Sequence, residues 1–303
     1  RNLEKKLDIK LPKDKNIGES WEISAHPNGM GVVSNGKLKG KTLKEIYSEY
    51  KDKLVGKKVF EKYPNRFPLL IKFLDVNDRL SIQVHPNDEV AMKKHNEFGK
   101  SESWYIVYAS DDATLILGTK PDVTKEKFLE KVKNNDFSNL FEEKAVKTGD
   151  FIDITPGTVH ASLKGSVIFA EIQQSSDVTY RIYDFDRIDK NGKKRELHLD
   201  DAAEVIDFGK KVEIKHTLFK DGETKKNIIK KEFYSIDKIK ILNSYSDYCS
   251  ESMIIYTVLD GSGKIFWNEN EVLELKKGEN ILIPVNLKVK LEGNFEILRT
   301  VIE

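Results

Sequence analysis

Cysteine is almost missing from this chain. Cys249 is the single one in 303 residues, so no internal disulfide can form and a reducing, cytoplasmic setting is expected. Long apolar runs are missing too: none approaches the roughly 18–20 residues that span a bilayer, so no membrane partner is expected. Neither sign of charge dominates, since 51 basic against 50 acidic side chains leave a net charge of +1. A nucleic-acid binder would need a basic stripe, and that balance argues against one. Arginine is scarce, with seven residues against 44 lysines. The opening RNLEKKLDIK lacks the build of a signal or transit peptide. It starts on Arg1 rather than Met, so native sequence is expected to precede it. What is present is 39% hydrophobic and 10% aromatic residues, enough for a sizeable core. The length predicts two domains or one elaborated domain, in an enzyme or a small-molecule binder.

Most of the chain reads as short strands separated by turn chemistry. FPLLIKFLDV (67–76), RLSIQVHP (79–86), SWYIVYAS (103–110), ATLILG (113–118), DFIDITP (150–156) and SVIFAEIQ (166–173) are apolar and rich in β-branched or aromatic residues. Such close spacing predicts a sandwich or barrel rather than βαβ units. Three helical patterns interrupt it. Residues 42–54 align Leu43, Ile46, Tyr47, Tyr50 and Leu54 on one stripe. Residues 123–146 open with Thr124 as N-cap and carry Phe128, Leu129 and Val132 at helical spacing, and 197–209 ends at Gly209 as a C-cap. The charge runs 189–195 and 220–231 read as solvated loops or linkers. Strands resume at 251–261, 263–268, 270–275, 279–284 and 295–302. The run at 278–284 echoes that at 149–156, which suggests two related β units with a boundary near 210–232.

In RLSIQVHP, alternation puts Leu80, Ile82 and Val84 on one face and Ser81, Gln83 and His85 on the other. The polar face either meets water or lines a ligand cavity, and in the second case Gln83 and His85 could bind one ion. His160 follows the Pro-Gly turn of TPGTVHA, and Glu102 precedes an apolar strand in GKSESWYIV. Two imidazoles, a carboxylate and an amide oxygen suit one divalent cation, zinc first. Lys72 lies within an apolar strand, where its ammonium is costly to bury unless its stem snorkels outward. Lys100 stands two residues before Glu102. Arg181 sits in TYRIYDFDR, which holds two of the seven arginines; its alternative role is an ion pair with Asp184 or Asp186. If Lys72, Lys100 and Arg181 converge beside the ion, they form an anion site for a small phosphorylated metabolite.

The segments WEISAHPNG (21–29), FPLLIKFLDVNDRLSIQVHPND (67–88), GKSESWYIV (99–107), GDFIDITPGTVHA (149–161) and TYRIYDFDR (179–187) resemble the type I mannose-6-phosphate isomerases in their short bacterial form. The resemblance runs, with gaps, over about the first 210 residues. It implies a mainly β, jelly-roll cupin barrel with helical insertions over residues 1–215, plus a second, degenerate cupin-like β unit over 216–303. It also implies interconversion of mannose 6-phosphate and fructose 6-phosphate by proton transfer through a cis-enediolate. The metal ligands fall on Gln83, His85, Glu102 and His160, and the substrate-binding groups on Lys72, Ser81, Lys100 and Arg181. Of these, Arg181 and Lys100 are the catalytic candidates. Trp21, Glu22 and His26 lie on a segment near the pocket.

Several features depart from the pattern. Gly99 stands where longer relatives carry a histidine, the family's opening Trp-Gly-Gly segment would lie before residue 1, and Val289 occupies the ligand-histidine position of the second unit. No histidine follows His216, so one metal site is expected. The alternatives are a non-catalytic sugar-phosphate sensor on the same barrel, or a cupin oxygenase.

Overall fold

The computed structural model describes residues 2–13, 17–188, 191–268 and 271–303. Arg1, the first two residues of the 189–195 charge run and Asn270 of the expected 270–275 strand lie outside them. Helix α1 (Asn2–Leu7), strands β1 (Glu19–Ile23), β2 (Ala25–His26) and β3 (Gly29–Met30), helices α2 (Leu43–Tyr50), α3 (Asp52–Val55) and α4 (Lys57–Lys62), and strand β4 (Leu69–Val76) come first. Then follow β5 (Ile82–Val84), α5 (Asp88–His95), β6 (Glu102–Ala109), β7 (Thr114–Thr119), α6 (Lys125–Lys133), β8 (Phe141–Ala145), β9 (Asp150–Ile154), β10 (His160–Lys164), β11 (Val167–Gln174), β12 (Tyr180–Tyr183), α7 (Leu199–Val205) and β13 (Ile214–His216). The C-terminal strands are β14 (Lys225–Lys230), β15 (Ser235–Asp247), β16 (Ile254–Trp267), β17 (Glu271–Lys276), β18 (Asn280–Ile283) and β19 (Val289–Val301). Among the described residues, no helix is long and apolar enough to cross a membrane.

The chain packs as two compact units, residues 73–216 and residues 1–72 with 217–303. In the first, one sheet runs β12-β5-β10-β7-β8, and β11, β6, β9 and β13 follow one another beside β4 in a second. The strands expected to close a barrel thus form two open sheets. Their facing sides share a core of Leu74, Trp104, Ile106, Leu115, Leu117, Ile152 and Phe169. The other side of the β12–β8 sheet presents Ile82, Val84, Ile116, Ala161, Tyr180 and Ile182 to Phe128, Val132, Ala202 and Ala203 of helices α6 and α7. This arrangement settles the two-faced pattern of RLSIQVHP. Ile82 and Val84 lie under helices and the polar face turns inward between the sheets, whereas Leu80, ahead of the strand, leaves the expected apolar face and packs with the core between the sheets.

In the second unit the antiparallel order is β14-β15-β19-β16-β17, with β18 on β16. Its core contains Ile239, Ile241, Tyr256, Val258, Leu291 and Ile297, and Val289 is buried there. The two strands expected at 251–261 and 263–268 are one, because Gly261 and Gly263 carry β16 onward. A Cβ on Gly263 would meet the Phe295 ring at 2.3 Å, so glycine permits that close strand approach.

Three helical expectations need adjustment. The 42–54 helix breaks at Lys51, whose φ is +51°, although the Thr42–Glu45 capping box forms at its start. The 123–146 pattern gives only α6. Asn135 and Asn139 turn left-handed at φ 54° and 56° and release residues 141–145 to pair as β8 with β7. Helix α7 stops at Val205, and Gly209 (φ +74°) turns four residues later. Part of the 220–231 charge run is strand β14, paired with β15.

Candidate metal centre and active site

Strand register builds the site. Gln83 lies opposite His160 of β10 on one side and opposite Arg181 of β12 on the other. Directly opposed residues share a face, so three strands set Arg181, Gln83 and His160 in one row on the inward side. His85 follows Gln83 by two residues, and the Gly157 N–H donates to its carbonyl at 2.9 Å. Gly157 makes this turn at φ +84°, a conformation that glycine adopts without the steric cost a Cβ carries. Glu102 opens β6 on the facing sheet, fully buried. Trp104, two residues on, sets its ring edgewise to His160 at 5.2 Å.

His85, Glu102 and His160 hold their donor atoms within 4.8 Å of one another. His160 Nε2 lies 3.1 Å from Glu102 Oε1 and His85 Nε2 3.6 Å from Oε2. The opposite ring nitrogens settle the tautomers. His85 Nδ1 is 2.9 Å from the Val178 carbonyl and His160 Nδ1 is 2.9 Å from the Thr158 carbonyl. A carbonyl only accepts, so each Nδ1 carries a proton and each Nε2 is left turned toward the cluster. Lone pairs converging on carboxylate oxygens in a buried space are a donor set for a divalent cation. Gln83 points its amide nitrogen at His160 Nε2 across 3.2 Å, and its oxygen accepts from Ser81 Oγ at 3.3 Å. Turning that amide by 180° puts the oxygen toward the cluster, as ligation requires.

Charge supports the same reading. Burial, then the nearby Lys100 ammonium, holds His85 well below the ordinary histidine value and therefore neutral. Burial works to raise the pKa of Glu102, but the adjacent Lys100 ammonium outweighs it and keeps the carboxylate ionised. Burial likewise works against the Lys100 cation, and Glu102 and Glu171 outweigh it, so its pKa is raised. Lys100 pairs with Glu102 Oε2 and lies 3.0 Å from His85 Nε2.

These shifts carry a pH consequence. An unfolded chain protonates His85 near pH 6.5, whereas the folded one does not. Folded stability therefore falls as pH drops below that value, by at most about 1.4 kcal/mol per pH unit from this residue. Urea unfolding of metal-free protein at pH 7 and 5.5 should show a smaller decline in His85→Asn than in wild type; equal declines would exclude the effect.

The remaining expected residues fall in different surroundings. Ser81 is buried beside Gln83. Arg181 is half-buried; its NH1 donates to the Glu196 carbonyl at 3.1 Å, while Nε is buried without a hydrogen-bond partner. Burial and the neighbouring Arg195 lower its pKa. The alternative ion pairs are taken by others. Arg187 and Arg195 hold Asp184, and Lys194 and Tyr183 hold Asp186. Lys72 belongs to the other compact unit and does not snorkel. It is buried, with its ammonium 4.4 Å from the Trp21 ring and 3.9 Å from Glu19. Trp21 also packs edgewise on His26 at 5.8 Å, and burial, partly offset by Ser20, raises the pKa of Glu22. Sequence reasoning missed Glu171, which accepts from Trp104 Nε1 at 2.7 Å. It also missed the Val178 and Thr158 carbonyls, which no residue pattern reveals.

A two-sheet β fold with two imidazoles, a carboxylate and an amide around one buried point defines a metal-dependent enzyme of the cupin type. Residues 2–106 match the family "Phosphomannose isomerase type I, catalytic domain", and residues 224–302 match "Mannose-6-phosphate isomerase, cupin domain". The mannose-6-phosphate isomerase of Streptococcus mutans is 37% identical over 298 residues, covering 98% of this chain and 92% of that protein. The solved mannose 6-phosphate isomerase of Bacillus subtilis superposes with a TM-score of 0.86 at 33% identity, covering 98% of this chain and 93% of that one. A mannose 6-phosphate isomerase bound with zinc and yttrium shares the fold at 15% identity, with a TM-score of 0.75 over 100% of this chain and 95% of its own. This chain belongs to the type I phosphomannose isomerase family.

Proposed function

We propose that this enzyme interconverts mannose 6-phosphate and fructose 6-phosphate, and that the converged His85–Glu102–His160 donors, with Arg181 in the same cross-strand row as His160, carry the reaction. Gln83, His85, Glu102 and His160 are the proposed ligands of one divalent ion, with zinc favoured by the mixed imidazole and oxygen donor set and by the zinc-bound relative. That ion would supply a fixed positive charge near the sugar oxygens that become negative. In the open-chain sugar a base would take the C2 proton beside the C1 carbonyl, leaving an enediolate, and a proton returned at C1 with passage of the O2 proton to O1 would give the ketose. Arg181, whose Nε has no internal partner, would donate to that oxyanion. Lys100 holds Glu102 ionised and adds a second buried cation. Ser81 and one of Lys72 or Lys100 are proposed for phosphate contact on the family motif, where they would orient the substrate rather than take part in bond changes. The division into 1–215 and 216–303 is proposed on function, since all four ligands precede residue 216. A cytoplasmic location is proposed from the single cysteine.

The reaction has a direct isotopic test. Turnover of mannose 6-phosphate in D2O, followed by NMR, should place solvent deuterium in the fructose 6-phosphate formed. Turnover with full retention of hydrogen would mean transfer without solvent exchange, either as a hydride or by a base shielded from water. No turnover would leave a binding protein.

A further inference from the structure

Strand β12 is the edge of its sheet, with β5 on one side only. An edge strand leaves backbone groups that must find partners elsewhere. At Arg181 they find His198. The Arg181 N–H donates to His198 Nδ1 at 3.1 Å, and the His198 N–H donates to the Arg181 carbonyl at 2.7 Å. The imidazole thus stands where the carbonyl of a neighbouring strand would stand. Two residues earlier, the Glu196 carbonyl takes Arg181 NH1 at 3.1 Å. One short segment therefore grips both the main chain and the guanidinium of Arg181, while Nε stays buried without a partner.

The segment is itself anchored at both ends. Asp184 accepts from Arg187 NH2 at 2.5 Å and from Arg195 Nε at 2.8 Å, joining the beginning of the connection to its end. On the far side, His198 is the residue before α7, and the Ala202 N–H donates to its carbonyl at 2.8 Å. The His198 ring stands 6.2 Å from Tyr180. Replacing a residue gripped in this way would alter the place of Arg181 more than the packing of the core.

We infer that His198 is a positioning residue for Arg181, acting through its Nδ1 acceptor; the inference rests on the isomerase reading above. His198→Ala should lower kcat by about 10–100-fold, the order expected when a catalytic group shifts by about 1 Å, with KM changed by less than about threefold. His198→Asn places an amide oxygen where Nδ1 stood and should recover most of the loss. His198→Phe keeps a ring beside Tyr180 but cannot accept, so it should stay slow. In an Arg181→Ala background, His198→Ala should cost nothing further, because the group it positions is gone.

A Phe variant as fast as wild type, an Asn variant as slow as Ala, or additive losses in the double mutant would overturn the inference. Should the Ala variant fail to fold, the contrast between Asn and Phe decides. Wild-type protein that does not turn over mannose 6-phosphate removes the isomerase reading and this inference together. Active wild type with an unimpaired His198→Ala removes the inference alone.

Discussion

Glu102→Gln should abolish metal binding and lower turnover by at least about 100-fold, since changes merely to groups supporting a ligand cost about 10–100-fold. The substitution keeps the shape of the side chain and removes its charge. The two imidazoles would then lack the anionic donor that makes the cluster attractive to a divalent ion. Lys100 would be left as a buried ammonium without its closest counter-charge, and breaking one side of such a pair costs about 3–5 kcal/mol. Three readouts should therefore move together: metal content by elemental analysis, kcat/KM for mannose 6-phosphate, and the urea midpoint. Full metal occupancy in the variant would remove Glu102 from the ligand set.

Arg181→Ala should lower kcat by about 100–1,000-fold, the range seen when a donor to a developing oxyanion is removed. Metal content should not change, because the guanidinium shares a row with Gln83 and His160 but is not among the proposed ligands. Lysine should rescue poorly. A lysine ammonium is a point charge without the directed fork of a guanidinium, and it cannot reproduce both the contact to the Glu196 carbonyl and the donor at Nε. Near-normal kcat in Arg181→Ala would end its catalytic assignment.

The inward face of RLSIQVHP was readable because alternation fixes which side chains share a face, and Gln83 and His85 meet His160 through strand register. Glu102 was legible as a carboxylate at the mouth of an apolar strand. Other features depend on distant partners. Residues 141–145 carry a helical spacing, yet β7 supplies a ladder they cannot display in isolation. The packing of residues 1–72 with the C-terminal strands rests on contacts such as Gly278 against Leu7, where a Cβ would come within 2.4 Å of the Leu7 carbonyl. The tautomers of His85 and His160 depend on main-chain carbonyls, which every residue possesses. Arg181 was visible by its scarcity and its motif, but its choice between an ion pair and a free donor needed the positions of Arg187 and Arg195.

The most direct measurement is isomerase turnover of mannose 6-phosphate on metal-stripped protein, repeated after stoichiometric zinc is restored, with bound zinc quantified in each state. Activity that is lost with the metal and returns with about one zinc per chain is the expected result. Turnover that persists at full rate in stripped, verified metal-free protein would contradict the assignment of Gln83, His85, Glu102 and His160 as the platform of the reaction.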